Sequence, residues 1–168
     1  MSFHRNNNLK QFLIRYISWP IEAVVLFFAL LILRLIPIDI ASVSTGWLGS
    51  KIGPHTSWHK RANANLRLAM PELTEQKRLE ILTGMWWNLG RNIGEFPHTL
   101  TLMNSPSRVK IEGLDKISAC EQGSIIIGSH LANWEVVPTT LKRLNRKSGI
   151  VYRPLNNPVA DFLIQKRQ

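Results

Sequence analysis

The sequence predicts an α/β protein in which helices come first and a sheet follows. Residues 17–103 contain one long apolar run and two stretches with helical spacing of apolar residues. From residue 104 onward, short β-branched runs alternate with helical stretches, an order typical of a mixed or parallel sheet flanked by helices. We divide the chain into a basic N-terminal tail (1–16), a membrane helix (17–37), a helical segment (38–103) and the N-terminal part of an α/β domain (104–168).

Composition and charge limit the class of protein and of partner. The 168 residues suffice for one domain, and an apolar fraction of 45% suffices for a core. The 21 Lys and Arg residues against 11 Asp and Glu residues give a net charge of +10, which favours an anionic partner. Nucleic acid, an anionic membrane, a phosphorylated lipid and an acidic carrier protein all fit that charge. The single cysteine, Cys120, excludes an intrachain disulfide and a cysteine-based zinc site.

The apolar run at residues 17–37 has the composition of a membrane-contacting helix. It reaches the ~20 residues that a spanning helix needs only by including Glu22 and Arg34, whose long side chains lie near its ends and can extend to the interface. It can therefore span a membrane, dip into one leaflet or form a buried core helix, and we favour membrane contact. No small-residue cleavage pattern follows, which disfavours a signal peptide, and basic residues on both sides leave the orientation open.

The next segment contains two predicted helices after a connector. Residues 41–54 contain glycine and serine and are interpreted as a connector or a short helix. Residues 58–70 have a helical pattern that Pro71 ends. Thr74 is expected to cap a helix at residues 75–92. Apolar residues recur along that helix at three- and four-residue spacing and predict one buried face: Leu79, Leu82, Met85, Trp86, Leu89 and Ile93.

The second half carries the predicted sheet. The predicted strands are residues 109–112, 124–128 and 149–152, and the predicted helices are residues 114–120, 133–145 and 157–167. The central run is short and apolar, as in a buried strand. Because three strands form a thin sheet and the last helix runs to the end of the chain without a cap, we expect the domain to be incomplete.

The strongest chemical signal is a histidine at the end of the central strand. His130 follows a Gly-Ser bend, and Glu135 comes five positions later. On one regular helix these side chains would lie about 140° apart, so they can meet only if His130 lies in the bend and Glu135 in the first turn of the helix. Pro138 supports a helix that begins near Asn133 or Trp134, because proline is tolerated in the first turn.

This arrangement fits general base catalysis on a hydroxyl group. A neutral His130 can remove the hydroxyl proton, while Glu135 fixes the ring tautomer and stabilises the imidazolium. Backbone N–H groups at the start of the helix can stabilise an oxyanion. The spacing alone is equally compatible with a histidine at a strand end and an unrelated surface glutamate.

Residues 128–135, Gly-Ser-His-Leu-Ala-Asn-Trp-Glu, resemble the H-x4-D/E motif of membrane acyltransferases. Within that group the chain is similar to the lipid A late acyltransferase family, the lauroyl and myristoyl transferases of Gram-negative envelopes. Three further blocks carry the resemblance: residues 67–73, residues 87–91 with Glu95, and the Tyr-Arg-Pro segment at residues 151–158.

The resemblance implies a fold and a set of site residues. It implies a sheet like that of glycerol-3-phosphate acyltransferases, with further strands that are absent here, so we expect the 168-residue form to have greatly reduced activity. His130 matches the family's base and Glu135 its charge-relay partner. Arg153, Arg167 and Asn133 are the expected substrate-binding residues, with Arg167 the nearest match to a downstream arginine.

The resemblance also implies partners and a location. The donor would be an acyl-acyl carrier protein and the acceptor a hydroxyl of an anionic lipid A precursor, with no metal or organic cofactor and no nucleic acid. The location would be the bacterial inner membrane, with the active site on the cytoplasmic side. Two alternatives remain at this stage: a lysophospholipid or other glycolipid acyltransferase, and a membrane-anchored basic binding module without catalysis.

Overall fold

The computed structural model describes residues 11–118, 125–141, 149–151 and 153–165. Within these ranges the regular structure is helical, and no described residue belongs to a strand. The α-helices are α1 (Trp19–Leu35), α2 (Ile38–Ile52), α3 (Ser57–Ala69), α4 (Glu75–Glu95), α5 (Thr99–Met103), α6 (Leu114–Ser118), α7 (Val136–Leu141) and α8 (Pro158–Gln165). A π-helical turn, Ile14–Ser18, precedes α1, and 3-10 turns, Gly53–His55 and Phe96–His98, follow α2 and α4.

The predicted sheet, and with it the α/β fold class, is wrong for the described part of the chain. Residues 109–112, 125–128 and 149–151 are irregular, whereas Ser124 and Tyr152 lie outside the described residues. The side chains of Ile125, Ile127 and Val151 are 92%, 91% and 103% exposed. β-branched residues stabilise a strand only when neighbouring strands pair with its backbone and cover its side chains, and these segments have no such neighbour among the described residues.

The predicted helices of the first half are confirmed as helices, but the predicted buried face of the second is only partly correct, since Leu79, Met85 and Ile93 are exposed. The α4 helix begins where the sequence predicts, because the Thr74 hydroxyl accepts a hydrogen bond from the Lys77 backbone N–H at 3.2 Å. It continues past the predicted end at residue 92 to Glu95. Residues 41–54, interpreted as a connector or a short helix, are mostly part of α2, so the helix interpretation is the one that the structure supports.

Helices α2 and α4 pack closely and form the centre of the structure. A side chain at Gly49 would place its Cβ 2.6 Å from the Trp86 carbonyl oxygen and 3.0 Å from the Gly90 Cα. Such backbone proximity requires glycine, as in other helix pairs with small residues four positions apart. Ala41 and Leu82 are buried beside this contact. The glycine-rich composition of α2 therefore serves its packing against α4.

Helix α1 is mostly exposed. Residues Gln11–Leu35 form one helical stretch that is long and apolar enough to cross a membrane, and only 11% of its most apolar window is buried. Ala23 and Leu30 are the buried residues of α1. Most of its apolar surface therefore lies outside the protein core.

Two buried polar side chains hold the ends of α1. At its start, the Asn157 amide donates to the Trp19 carbonyl oxygen at 2.9 Å and to Glu22 Oε2 at 3.1 Å. At its end, His98 Nε2 donates to the Leu33 carbonyl oxygen at 2.8 Å. That bond leaves Nδ1 of the same ring to accept from Arg34 at 3.3 Å. Helix α1 is thereby attached both to α8 and to the turn after α4.

Candidate active site

The segment with the predicted catalytic pair is an irregular loop, residues 125–135, that leads into α7. His130 lies at the centre of a three-residue turn, in which the Leu131 backbone N–H donates to the Ser129 carbonyl oxygen at 2.8 Å. Its side chain is exposed. Ala132 has a φ of 46°, in the left-handed region that residues other than glycine rarely occupy. The loop thus presents the imidazole to solvent from a tightly bent backbone.

The side chains of His130 and Glu135 both contact Trp134. The imidazole and indole ring centroids are 4.8 Å apart, with the planes tilted by 47°. The indole Nε1–H donates to Glu135 Oε1 at 3.1 Å. Among the hydrogen bonds between described residues, none joins His130 directly to Glu135. The direct hydrogen bond stays a prediction for the substrate-bound enzyme, because catalytic hydrogen bonds often shorten only when substrate binds.

Helix α7 begins later than the sequence predicts. Its first residue is Val136, after turn bonds from the N–H groups of Val136 and Val137 to the Asn133 and Trp134 carbonyl oxygens. Pro138 lies in its first turn, where its missing N–H group leaves no acceptor unpaired. Glu135 therefore directly precedes the helix.

Two side chains at the end of α4 form hydrogen bonds with the middle of the loop. The Asn92 amide donates to the Ala132 carbonyl oxygen at 2.6 Å. One turn further along α4, Glu95 Oε2 accepts from the Asn133 amide at 2.9 Å. Sequence reasoning included Glu95 only in a family block and missed Asn92. The available signal was a pair of polar residues, one turn apart, at the end of an apolar helix face.

The Glu95 carboxylate belongs to a network that also includes α2. Its Oε1 accepts from the Ser42 hydroxyl at 2.6 Å and from Arg91 at 3.4 Å. Arg91 Nε donates to the Ser42 hydroxyl oxygen at 2.8 Å. The Glu95 side chain is only 14% exposed, so the nearby guanidinium offsets the cost of burying its charge. Three hydrogen-bond donors thus fix the orientation of this carboxylate.

Comparison with known proteins identifies the family. The model of the bacterial lipid A biosynthesis acyltransferase family matches residues 9–168. The chain belongs to this family. No curated protein and no solved structure matches the chain. The resemblance inferred from the four sequence blocks is thereby confirmed.

The remaining predicted site residues of this lipid A biosynthesis acyltransferase family member differ in their surroundings. Asn133 is half-buried, and its Oδ1 atom is buried without a hydrogen-bond donor among the described residues. Arg153 is exposed in the irregular segment before α8. Arg167 and Cys120 lie outside the described residues. The structure thus brings Asn133 into the described contacts of the loop.

No group of three or more His, Cys, Asp or Glu side chains within the described ranges could hold a metal ion. His59, for example, uses Nδ1 to accept a hydrogen bond from the buried Trp86 indole at 3.0 Å. The contact joins α3 to α4 and gives both side chains a role in packing. The candidate site in this acyltransferase family member is the loop that carries His130 and Glu135, with the side chains that contact it.

Proposed function

We propose that the protein is a membrane-bound acyltransferase that moves a fatty acyl group from acyl carrier protein to a hydroxyl of a lipid A precursor. The observation that carries the proposal is the position of His130. Its exposed ring lies five residues before Glu135 in a loop held by α4, in a chain of the lipid A biosynthesis acyltransferase family. An exposed imidazole with a nearby carboxylate is suited to remove a proton from a hydroxyl.

In the proposed reaction, neutral His130 removes the acceptor hydroxyl proton as the oxygen attacks the thioester carbonyl carbon. The tetrahedral intermediate then expels the carrier protein thiolate, which takes the proton from the imidazolium. A new ester replaces the thioester, and no oxidant, metal or organic cofactor is consumed. General base catalysis of this kind contributes about 10²–10⁴ in rate.

Glu135 would support His130 by electrostatic attraction. Its carboxylate contacts the indole that packs on the imidazole, so it lies in the same small cluster as the base. A carboxylate near the ring stabilises the imidazolium that forms during proton transfer. Glu135 is therefore assigned as the partner of the base and not as a second proton acceptor.

Substrate binding would depend on arginine side chains. Arg153 is exposed and can approach a phosphate group of the lipid acceptor, for which guanidinium groups are suited. Arg167 is the second proposed ligand. The net charge of +10 also favours encounter with an acidic carrier protein. Both substrates are anionic, so the charge is explained without nucleic acid.

Helix α1 would attach the protein to the bacterial inner membrane. Its length, composition and exposed apolar surface support a position in the bilayer. The active site would face the cytoplasm, where the carrier protein donor is present. Deleting residues 11–35 tests this attachment, because the protein should then move from the membrane fraction to the soluble fraction.

The proposed mechanism depends on the imidazole of His130. Membranes that carry a full-length form of the protein are supplied with radiolabelled acyl-acyl carrier protein and a lipid A precursor, and labelled lipid is measured. We expect His130→Ala to lower the transfer rate about 10²–10⁴-fold because the base is lost. His55→Ala is the matched control, since His55 is also exposed but lies in the turn after α2. Equal transfer by wild type and His130→Ala would refute the mechanism.

A second acceptor class follows from the same motif, because H-x4-D/E also marks other membrane acyltransferases. The assay therefore includes a lysophospholipid in parallel. Transfer to the lysophospholipid alone would favour a phospholipid acyltransferase. Binding to anionic vesicles without transfer to either acceptor would favour a basic binding module.

A further inference from the structure

Asn92 and Glu95 project from the last turns of α4 and bind the two consecutive residues in the middle of the loop. We propose that Asn92, Glu95 and Asn133 are positioning residues that set the geometry between His130 and Glu135. The proposal rests on the proposed function, because it concerns the same proton transfer. None of the three side chains needs to touch substrate for this role.

The two hydrogen bonds lie at Ala132, which has a left-handed backbone conformation, and at the residue after it. Asn92 binds the carbonyl oxygen of Ala132, the residue with a φ of 46°. A left-handed backbone at alanine persists only where its surroundings hold it. Asn133, the next residue, is held by Glu95. Since both residues lie between His130 and Glu135, releasing either bond would let the two ends of the motif move relative to each other.

The support behind these bonds is rigid. Glu95 is oriented by Ser42 and Arg91, so its position depends on α2 as well as α4. Gly94 faces α2 so closely that an added Cβ would be 2.7 Å from the Ala41 carbonyl carbon. The end of α4 therefore cannot rotate without moving α2. Because the loop is bonded to the end of α4, its position relative to α2 is also restricted.

The orientation of the Asn133 side chain supports positioning and not direct substrate binding. Its amide N–H group is used by Glu95, and its Oδ1 atom is buried. The Oδ1 atom is therefore not directed to solvent. This assignment differs from the substrate-binding role that the sequence predicts for Asn133.

The kinetic test uses isosteric and truncating variants in the transfer assay. Asn92→Asp keeps the shape of the side chain and removes the N–H donor, and Glu95→Ala removes the acceptor. We expect each to lower kcat about 10- to 100-fold while KM for both substrates is unchanged, because supporting groups act on the reacting geometry. Glu80→Ala is the matched control, since Glu80 is an exposed carboxylate on the same helix that pairs with nearby Lys77.

A double-mutant cycle separates positioning from a general loss of stability. If Glu95 acts through Asn133, then Glu95→Ala combined with Asn133→Ala should lower kcat no further than either change alone. Multiplicative losses would overturn the coupling. Wild-type kcat in Asn92→Asp and Glu95→Ala, with His130→Ala inactive, would overturn the positioning role and leave the proposed function intact.

Hydrogen exchange provides a readout that does not require activity. In Asn92→Asp and Glu95→Ala we expect faster exchange in peptides covering residues 125–135, with unchanged exchange in α2. Unchanged loop exchange would overturn the proposal. If wild type transfers no acyl group, the proposed function fails by itself, and faster loop exchange would still support the positioning of the loop by α4.

Discussion

At the scale of single residues, the indole of Trp134 contacts both members of the proposed catalytic pair. Its ring packs on His130, and its N–H group donates to Glu135. The ring contact and the hydrogen bond can be separated chemically, because phenylalanine retains the aromatic face and lacks the donor. The indole is therefore the most direct place to test how the carboxylate is oriented.

We expect Trp134→Phe to lower kcat about tenfold, comparable to the loss of one hydrogen bond to a charged group. The transfer assay measures this change. Trp47→Phe, an exposed tryptophan on α2, should retain the wild-type rate. An unchanged rate in Trp134→Phe would show that the indole N–H does not orient Glu135 during catalysis.

Local spacing predicted the residues of the motif, but it did not predict the side chains of α4 that hold the loop in place. Pro138 and the bend before His130 are features of neighbouring sequence, and they indicated a helix start to within three residues of Val136. The bond from Asn92 joins a side chain to a backbone oxygen 40 positions away. A contact of that kind leaves no local pattern, because any residue at position 132 would provide the same carbonyl group.

At the scale of elements, the close contact of α2 and α4 determines where the end of α4 lies. The sequence predicted α4 from its apolar face and its Thr74 cap. It did not predict α2 as a full helix, because Gly46, Gly49 and several serines lower helix propensity. The small residues that obscured the helix are the ones that permit the close approach.

Two glycines on α4 should respond oppositely to alanine. Gly84 has open space around it, so Gly84→Ala should stabilise the protein by up to about 1 kcal/mol through helix propensity. At Gly90 an added Cβ would collide with the Thr45 backbone, so Gly90→Ala should destabilise by about 1–3 kcal/mol. Chemical denaturation in detergent, followed by circular dichroism, measures both. A stabilising Gly90→Ala would contradict the close packing.

At the scale of the whole molecule, an ion pair joins the segment after α5 to the start of α2. Arg108 donates to both carboxylate oxygens of Asp39, at 2.7 and 2.8 Å. The hydrogen bonds from the Arg108 guanidinium hold the pKa of Asp39 below its usual value. The pair contributes stability where Asp39 is ionised, above its unfolded pKa, and that contribution is lost as pH falls through the lower folded pKa.

We therefore expect Arg108→Gln to lower the unfolding midpoint at neutral pH and to differ less from wild type as the pH is lowered below about 4. Both side chains are exposed, so added salt should also reduce the difference. Lys110→Gln is the control, because Lys110 pairs locally with Glu112. A difference that is constant with pH would exclude the Asp39 contribution.

The first half of the molecule was predictable because helices depend on local periodicity and caps. In the second half the three predicted helices correspond to α6, α7 and α8, but the predicted strands were wrong, because a strand is defined by its neighbours. The runs at residues 125–128 and 149–151 have β-branched composition, yet their side chains are exposed and unpaired with another strand in the described structure.

The attachment of α1 at both ends has a mechanical consequence. Its two anchor points are the carbonyl oxygens of Trp19 and Leu33, which lie about 21 Å apart along a helix. His98, at one anchor, is the last residue of the 3-10 turn that follows α4, the helix that supports the loop. If α1 lies in a bilayer, it cannot slide along its axis alone. The distance of His130 from the lipid surface would then be set by the fold. If a thicker or thinner membrane moved α1, the loop would move together with α1.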